Sequence, residues 1–155
     1  MTTTDPTTGP AATSTAAQIV RSVYQAFTSG DPGLIDRTVR ELFADDVVVH
    51  EAESLPWGGR YDGLDTVAAM TQGLADPAAP IDAANLSVDE LIVDESGAPG
   101  TAHVVAAVSF PWRGATTIPM RALEWFTIRD GKVSEIQVFL WDTGAAVSAL
   151  GNGAG

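Results

Sequence analysis

The chain has 155 residues, 45% of them hydrophobic and 18% charged, which is enough for one domain with a proper core. Its formal net charge of −12 argues against nucleic acid or an anionic membrane surface as partner. No apolar run approaches the roughly 18 residues of a spanning helix, and the absence of cysteine removes disulfides, thiolate nucleophiles and thiolate metal sites.

The start, Met1-Thr2-Thr3-Thr4-Asp5-Pro6, lacks the basic and apolar regions of a signal peptide, so a cytoplasmic location is expected. Residues 1–14 are mostly Thr, Ala, Pro and Gly, too polar and breaker-rich to pack, and are expected to be disordered. One domain is expected over 15–150, followed by a short flexible tail, 151–155. Thr15 followed by Gln18 reads as a capping box, and Ala16, Ile19, Val20, Val23 and Phe27 then recur at helical spacing up to Gly30. Asp31-Pro32 starts a second helix that buries Leu34, Ile35, Val39, Leu42 and Phe43. Val47-Val48-Val49 is a short strand entering a Gly-rich loop, Glu51 to Gly63. A third helix spans about Leu64 to Leu74 and stops before Pro77.

The remainder reads as β-structure: Leu86 to Val93, Thr101 to Trp112, Thr116 to Ile128 and Lys132 to Trp141. Asp130-Gly131 joins the last two as a tight hairpin. Helices first and a mostly antiparallel sheet later make an α+β arrangement with the helices on one face. The opposite face carries Leu123, Trp125, Phe139 and Trp141, an apolar stripe that predicts a partner, most economically a homodimer.

Each closing strand carries a carboxylate where alternation predicts an apolar residue. Glu124 shares a face with Met120, Ala122, Phe126 and Ile128; Asp142 shares one with Ile136, Val138 and Leu140. Carboxylates are seldom buried unless paired or needed for chemistry. The structural alternatives are an ion pair from Glu124 to Arg113 or Arg121, and helix capping by Asp142. His50 and Glu51 are adjacent on one strand and face opposite sides; parity with Val47 and Val49 points Glu51 inward. His103, between apolar neighbours, reads as structural. With no His-x-His spacing and no glycine-rich phosphate loop, neither a metal nor another cofactor is expected.

The order of elements, with Leu42-Phe43-Ala44-Asp45-Asp46-Val47, Leu55-Pro56-Trp57-Gly58-Gly59, Arg129-Asp130-Gly131-Lys132-Val133 and Trp141-Asp142 before a short last helix, resembles the nuclear-transport-factor-like superfamily. Within it the chain is similar to SnoaL-like polyketide cyclases and ketosteroid-isomerase-like proteins. The resemblance implies a single cone-shaped domain, its N-terminal helices packed in a curved sheet around an apolar pocket.

It also implies roles. Glu51 stands where ketosteroid isomerases place a carboxylate base, Glu124 where they keep a neutral acid as oxyanion donor, and Asp142 where SnoaL-like cyclases place an acid/base. His50 is the rival of Glu51. The assisting tyrosine of those isomerases comes from the first helix, and Tyr24 stands one residue from that place. Trp57, Tyr61, Phe110, Met120 and Leu140 complete the expected substrate contacts. The implied function is cofactor-independent acid/base chemistry on a hydrophobic, polyketide-like carbonyl compound: enolisation followed by cyclisation or isomerisation. Epoxide opening and non-catalytic binding of a small molecule are the alternatives.

Overall fold

The computed structural model describes residues 14–151; of the tails expected at 1–14 and 151–155, residues 1–13 and 152–155 lie outside them. Helix α1 (Thr15–Phe27) buries Val20 and Val23 completely. The expected capping box does not form from Thr15, which is itself helical; Ser14 holds the cap position and its hydroxyl donates to Glu95 at 2.7 Å. Helix α2 (Pro32–Leu42) starts as expected. Pro32 supplies a pre-set φ, and Asp31 Oδ1 accepts from the Gly33 and Leu34 amides at 2.9 and 3.2 Å.

Strand β1 (Phe43–Glu51) follows without a loop. The segment expected to be all loop contains a second strand, β2 (Gly59–Asp62), paired antiparallel with β1. Four ladder positions supply backbone partners that a Gly-rich sequence does not advertise. Helix α3 (Leu64–Gln72) runs on into a 3-10 turn at Gly73–Ala75, and a second such turn lies at Ala83–Asn85. Strands β3 (Ser87–Asp94), β4 (Thr101–Trp112), β5 (Ile118–Arg129) and β6 (Lys132–Leu140) precede the short helix α4 (Thr143–Ala149). No helix among the described residues is long and apolar enough to cross a membrane.

The strands form one six-stranded sheet in the order β2-β1-β6-β5-β4-β3. Every pairing is antiparallel except β1 with β6. Asp130 (φ 50°) and Gly131 (φ 76°) both adopt the left-handed region, which lets two residues close the β5–β6 hairpin with Arg129 opposite Lys132. Register shifts between Phe43 and Val48, Val88 and Glu90, and Thr127 and Ile128 bend the sheet. The result is an α+β domain in which α1 and α3 lie against the concave face. Val104, Val108, Phe126 and Trp112 are fully or almost fully buried there.

No helix among the described residues covers the convex face. Leu123, Trp125, Phe139 and Trp141 are 51%, 42%, 52% and 76% exposed, a continuous apolar surface across β5 and β6. The Arg121 guanidinium lies 5.1 Å from the centre of the Trp141 ring.

Candidate active site

The concave face and the elements packed on it enclose a cavity of about 470 Å³. Its floor comes from alternate residues of the central strands: Val49, Ala122, Ile136, Val138 and Leu140. Helix α1 contributes Phe27, and α3 with its following turn contributes Met70 and Leu74. Phe110 and Trp112 form an aromatic end wall, on which Trp57 stacks with 5.7 Å between ring centres. A cavity of this size and polarity suits a small hydrophobic ligand.

Three polar side chains enter this apolar space: Tyr24, Glu51 and Glu124. Alternation along β1 turns Glu51 to the same side as the buried Val47 and Val49, as parity predicts. Glu124 faces inward between Ala122 and Phe126. It pairs with neither Arg113 nor Arg121. The Tyr24 hydroxyl donates to Glu124 Oε2 in a short hydrogen bond across the domain. Tyr24 itself is clamped by edge-on contacts with Phe27 and Phe126 at 6.2 and 5.9 Å. Thr71 and Asp76 also line the cavity, but the Thr71 hydroxyl donates to Val67 O at 2.9 Å and the exposed Asp76 carboxylate accepts from the Ala78 amide at 2.8 Å.

Burial dominates the electrostatics. Desolvation, and then the charge of Glu124, push the Glu51 carboxyl from near 4.5 up to about 7. Burial also raises Glu124, but the Tyr24 hydrogen bond opposes that rise by favouring its anion. Both carboxyls therefore hold their protons above the ordinary carboxylate range, Glu51 to about 7. Tyr24 stays protonated throughout, because burial, the Glu124 charge and the hydrogen bond all raise it. No local pattern in the sequence reveals the pairing of Tyr24 with Glu124.

Trp57 reaches the cavity because its loop doubles back on itself. The Leu55 amide donates to Ala52 O at 3.0 Å and the Gly58 amide to Leu55 O at 2.8 Å. A Cβ at Gly58 would sit 2.1 Å from Ala52 O, so only glycine fits that approach. Tyr61 does not line the cavity; its hydroxyl donates to the Trp57 carbonyl and braces this loop.

One wall was not apparent from sequence. The segment between α3 and β3 straps the cavity, contributing Ala78, Ala79, Pro80, Ile81 and Ala83. Arg113 holds it in place. The guanidinium meets Asp82 Oδ1 at 2.6 Å and donates to Ala79 O at 3.1 Å, and the Arg113 amide donates to Pro80 O at 2.6 Å. The Asp82 amide returns a bond to Pro111 O at 3.0 Å. The prolines bracketing Ala78 and Ala79 were the available signal of an extended strap.

Besides Tyr61, three expected site residues lie elsewhere. His50 turns to the convex side, half-exposed, with Nε2 3.9 Å from Glu135 Oε1. Met120 is buried in the core and does not line the cavity. Asp142 is not brought to the cavity either: β6 ends at Leu140, and the Asp142 carboxylate caps α4 by accepting from the Ala145 amide at 2.8 Å. The inward alternation of Ile136, Val138 and Leu140 stops before reaching it. His103 sits on the convex face, its Nδ1 accepting from the Trp125 indole at 3.2 Å. Of the expected contacts, Tyr24, Trp57, Phe110 and Leu140 do line the cavity.

Among solved structures, Bal32a from a soil-derived mobile gene cassette is 18% identical, with 88% of this chain and 97% of that one covered and a TM-score of 0.67. TerC, co-crystallised with polyporic acid, is 17% identical over 88% and 98% of the two chains, with a TM-score of 0.63. A protein from Jannaschia sp. CCS1, provisionally assigned as a SnoaL-like polyketide cyclase, is 16% identical over 89% and 94%, with a TM-score of 0.58. At these identities the likeness is one of fold. No curated protein matches the chain in sequence. The model of the SnoaL-like domain matches residues 20–136, three-quarters of the chain and every cavity-lining residue except Val138 and Leu140. The chain belongs to the SnoaL-like domain family.

Proposed function

We propose that this protein is a cofactor-independent acid/base enzyme that enolises a hydrophobic, polyketide-like carbonyl compound, leading to isomerisation or ring closure. The observation that carries the reading is the meeting in one apolar cavity of two carboxyls raised by burial, one of them hydrogen-bonded by a tyrosine. A pair of this kind offers one group as base and the other as acid at the same pH.

Glu124, ionised and steadied by Tyr24, removes a proton alpha to the carbonyl. Glu51, still protonated below about 7, donates to the carbonyl oxygen as charge develops there. Return of the proton from Glu124 to another carbon of the enol gives an isomer. Alternatively the enol carbon attacks a second carbonyl of the same molecule, forming a carbon–carbon bond. As the first carbonyl re-forms the enol O–H returns its proton to Glu51, and the new alkoxide takes the proton held by Glu124, so both carboxyls regain their starting states and the ring is closed. The aromatic end wall of Phe110, Trp112 and Trp57 supplies flat faces for a planar substrate. Family membership supports the polyketide-like character of that substrate.

The test is solvent exchange. Hydrophobic ketones with acidic alpha protons are incubated with the protein in D2O and followed by proton NMR. Loss of the alpha signal well above the buffer rate is expected. A ketone that binds the cavity yet exchanges at the buffer rate, throughout a chemically varied panel, contradicts enolisation.

We also propose that a second copy of the chain covers the convex face. The exposed Leu123, Trp125, Phe139 and Trp141 form an apolar patch of the kind that monomers rarely leave in water. Sedimentation should find a dimer that Trp125→Glu together with Phe139→Glu converts to a folded monomer. A wild-type monomer at tens of micromolar contradicts the proposal.

A further inference from the structure

Among the described residues, the cavity has no basic side chain in its lining to balance its acids. Its lining includes the carboxyls of Glu51 and Glu124, the rim carboxylate of Asp76 and the Tyr24 phenol, and no Arg, Lys or His. All eight basic residues of the chain are accounted for outside it. Arg113, the one nearest the strap, is held by Asp82 and by the Ala79 carbonyl. Arg60 pairs with Asp62, Arg129 with Asp46 and Arg40 with Asp36 and Asp65. Arg121 lies over Trp141 on the convex face, the Lys132 ammonium donates to Glu41 O, and Arg21 and Arg37 are exposed. The two histidines also belong to the convex side.

We infer that this cavity filters ligands by charge: it admits uncharged molecules and refuses carboxylates, sulfonates and phosphates. An anion entering would lose its water, meet no counter-charge and stand against the negative charge of Glu124 in low-dielectric surroundings. An uncharged ligand meets only the gain of burial against the aliphatic floor and the indoles. The formal net charge of −12 adds long-range repulsion of anions at low ionic strength. The inference deepens the proposed function by fixing the substrate as a neutral species, so any acid group on it must be masked as an ester, amide or lactone. The reaction that supplies this substrate must therefore deliver it without a free acid, or be preceded by a step that masks one.

Three probes of one ring size test this by isothermal titration calorimetry, without any need for turnover: 2-acetylnaphthalene, naphthalene-2-sulfonate and 2-naphthylmethylammonium. At pH 8 the sulfonate is expected to bind about 100-fold more weakly than the ketone, the order of a single unscreened like-charge contact near a protein surface. The ammonium is expected to bind no more weakly than the ketone, since it faces the acids and the aromatic wall. Because the sulfonate stays ionised, lowering the pH changes only the protein. The gap should narrow as the carboxyls take up protons. Sulfonate affinity within tenfold of the ketone at pH 8, or a gap indifferent to pH, overturns the filter. Either outcome leaves the enolisation proposal standing or falling on solvent exchange alone.

Discussion

Glu124→Gln is expected to reduce alpha-proton exchange by roughly 10²- to 10⁴-fold, the usual contribution of a positioned general base. An amide cannot accept the proton, and no neighbouring group replaces it. Glu51→Gln is expected to lose much less, about tenfold. A glutamine there keeps an N–H to donate to the carbonyl oxygen, much as the protonated acid does. The contrast matters because the pH profile alone cannot assign the roles. The active state carries one proton on the pair, and its rate profile is the same whichever carboxyl holds it. In the wild type, exchange should fall as pH rises past about 7, where Glu51 ionises. In Glu51→Gln that alkaline limb should disappear, because an amide does not titrate. If instead Glu51→Gln is the silent enzyme and Glu124→Gln the active one, the base is Glu51, and the Tyr24 hydrogen bond does not decide where the charge resides.

The second large effect is on stability. Glu51 has a folded-state pKa of about 7 against 4.5 unperturbed, so the folded chain binds more protons than the unfolded chain across that window. Stability contributed by the neutral acid is present at low pH, declines as pH rises from about 4.5 to about 7, and then levels off. Glu124 acts in the same direction, because its carboxyl is also raised. Glu51→Gln removes the Glu51 part of this dependence. Between pH 4 and pH 8 the variant should gain on the wild type by about 2–3 kcal/mol, measured as the change in urea-unfolding free energy. A constant difference between the two proteins over that range would mean that the cavity leaves Glu51 solvated.

Much of the architecture is legible because its causes are local. Asp130-Gly131 marks the hairpin through the left-handed backbone that its turn requires, and Asp31-Pro32 marks a helix start through capping. Parity alone turns Glu51 inward and His50 outward, and it exposes the aromatic stripe of the convex face. What sequence does not display depends on distant partners. The parallel pairing of β1 with β6 joins segments some eighty residues apart, and β2 forms only because β1 lies beside it. Tyr24 meets Glu124 across one hundred positions, so the hydrogen-bond partner of this acid leaves no local mark. Asp142 shows the opposite failure. Its spacing continues the inward set of β6, but the strand has already ended and the carboxylate serves α4. The strap of Ala78 to Ala83 has neither helical nor strand periodicity, and it is positioned by Arg113 from beyond the end of β4.

The central claim is that two carboxyls in one cavity share a single proton near neutrality, with the charge on Glu124. Carbon-13 NMR of the protein labelled at the glutamate side-chain carboxyls, assigned through Glu51→Gln and Glu124→Gln, measures this directly. The predicted result is a Glu51 midpoint near 7 and an earlier, still elevated midpoint for Glu124 that rises further in Tyr24→Phe. Two carboxyls titrating independently in the ordinary range near 4.3 would contradict the account.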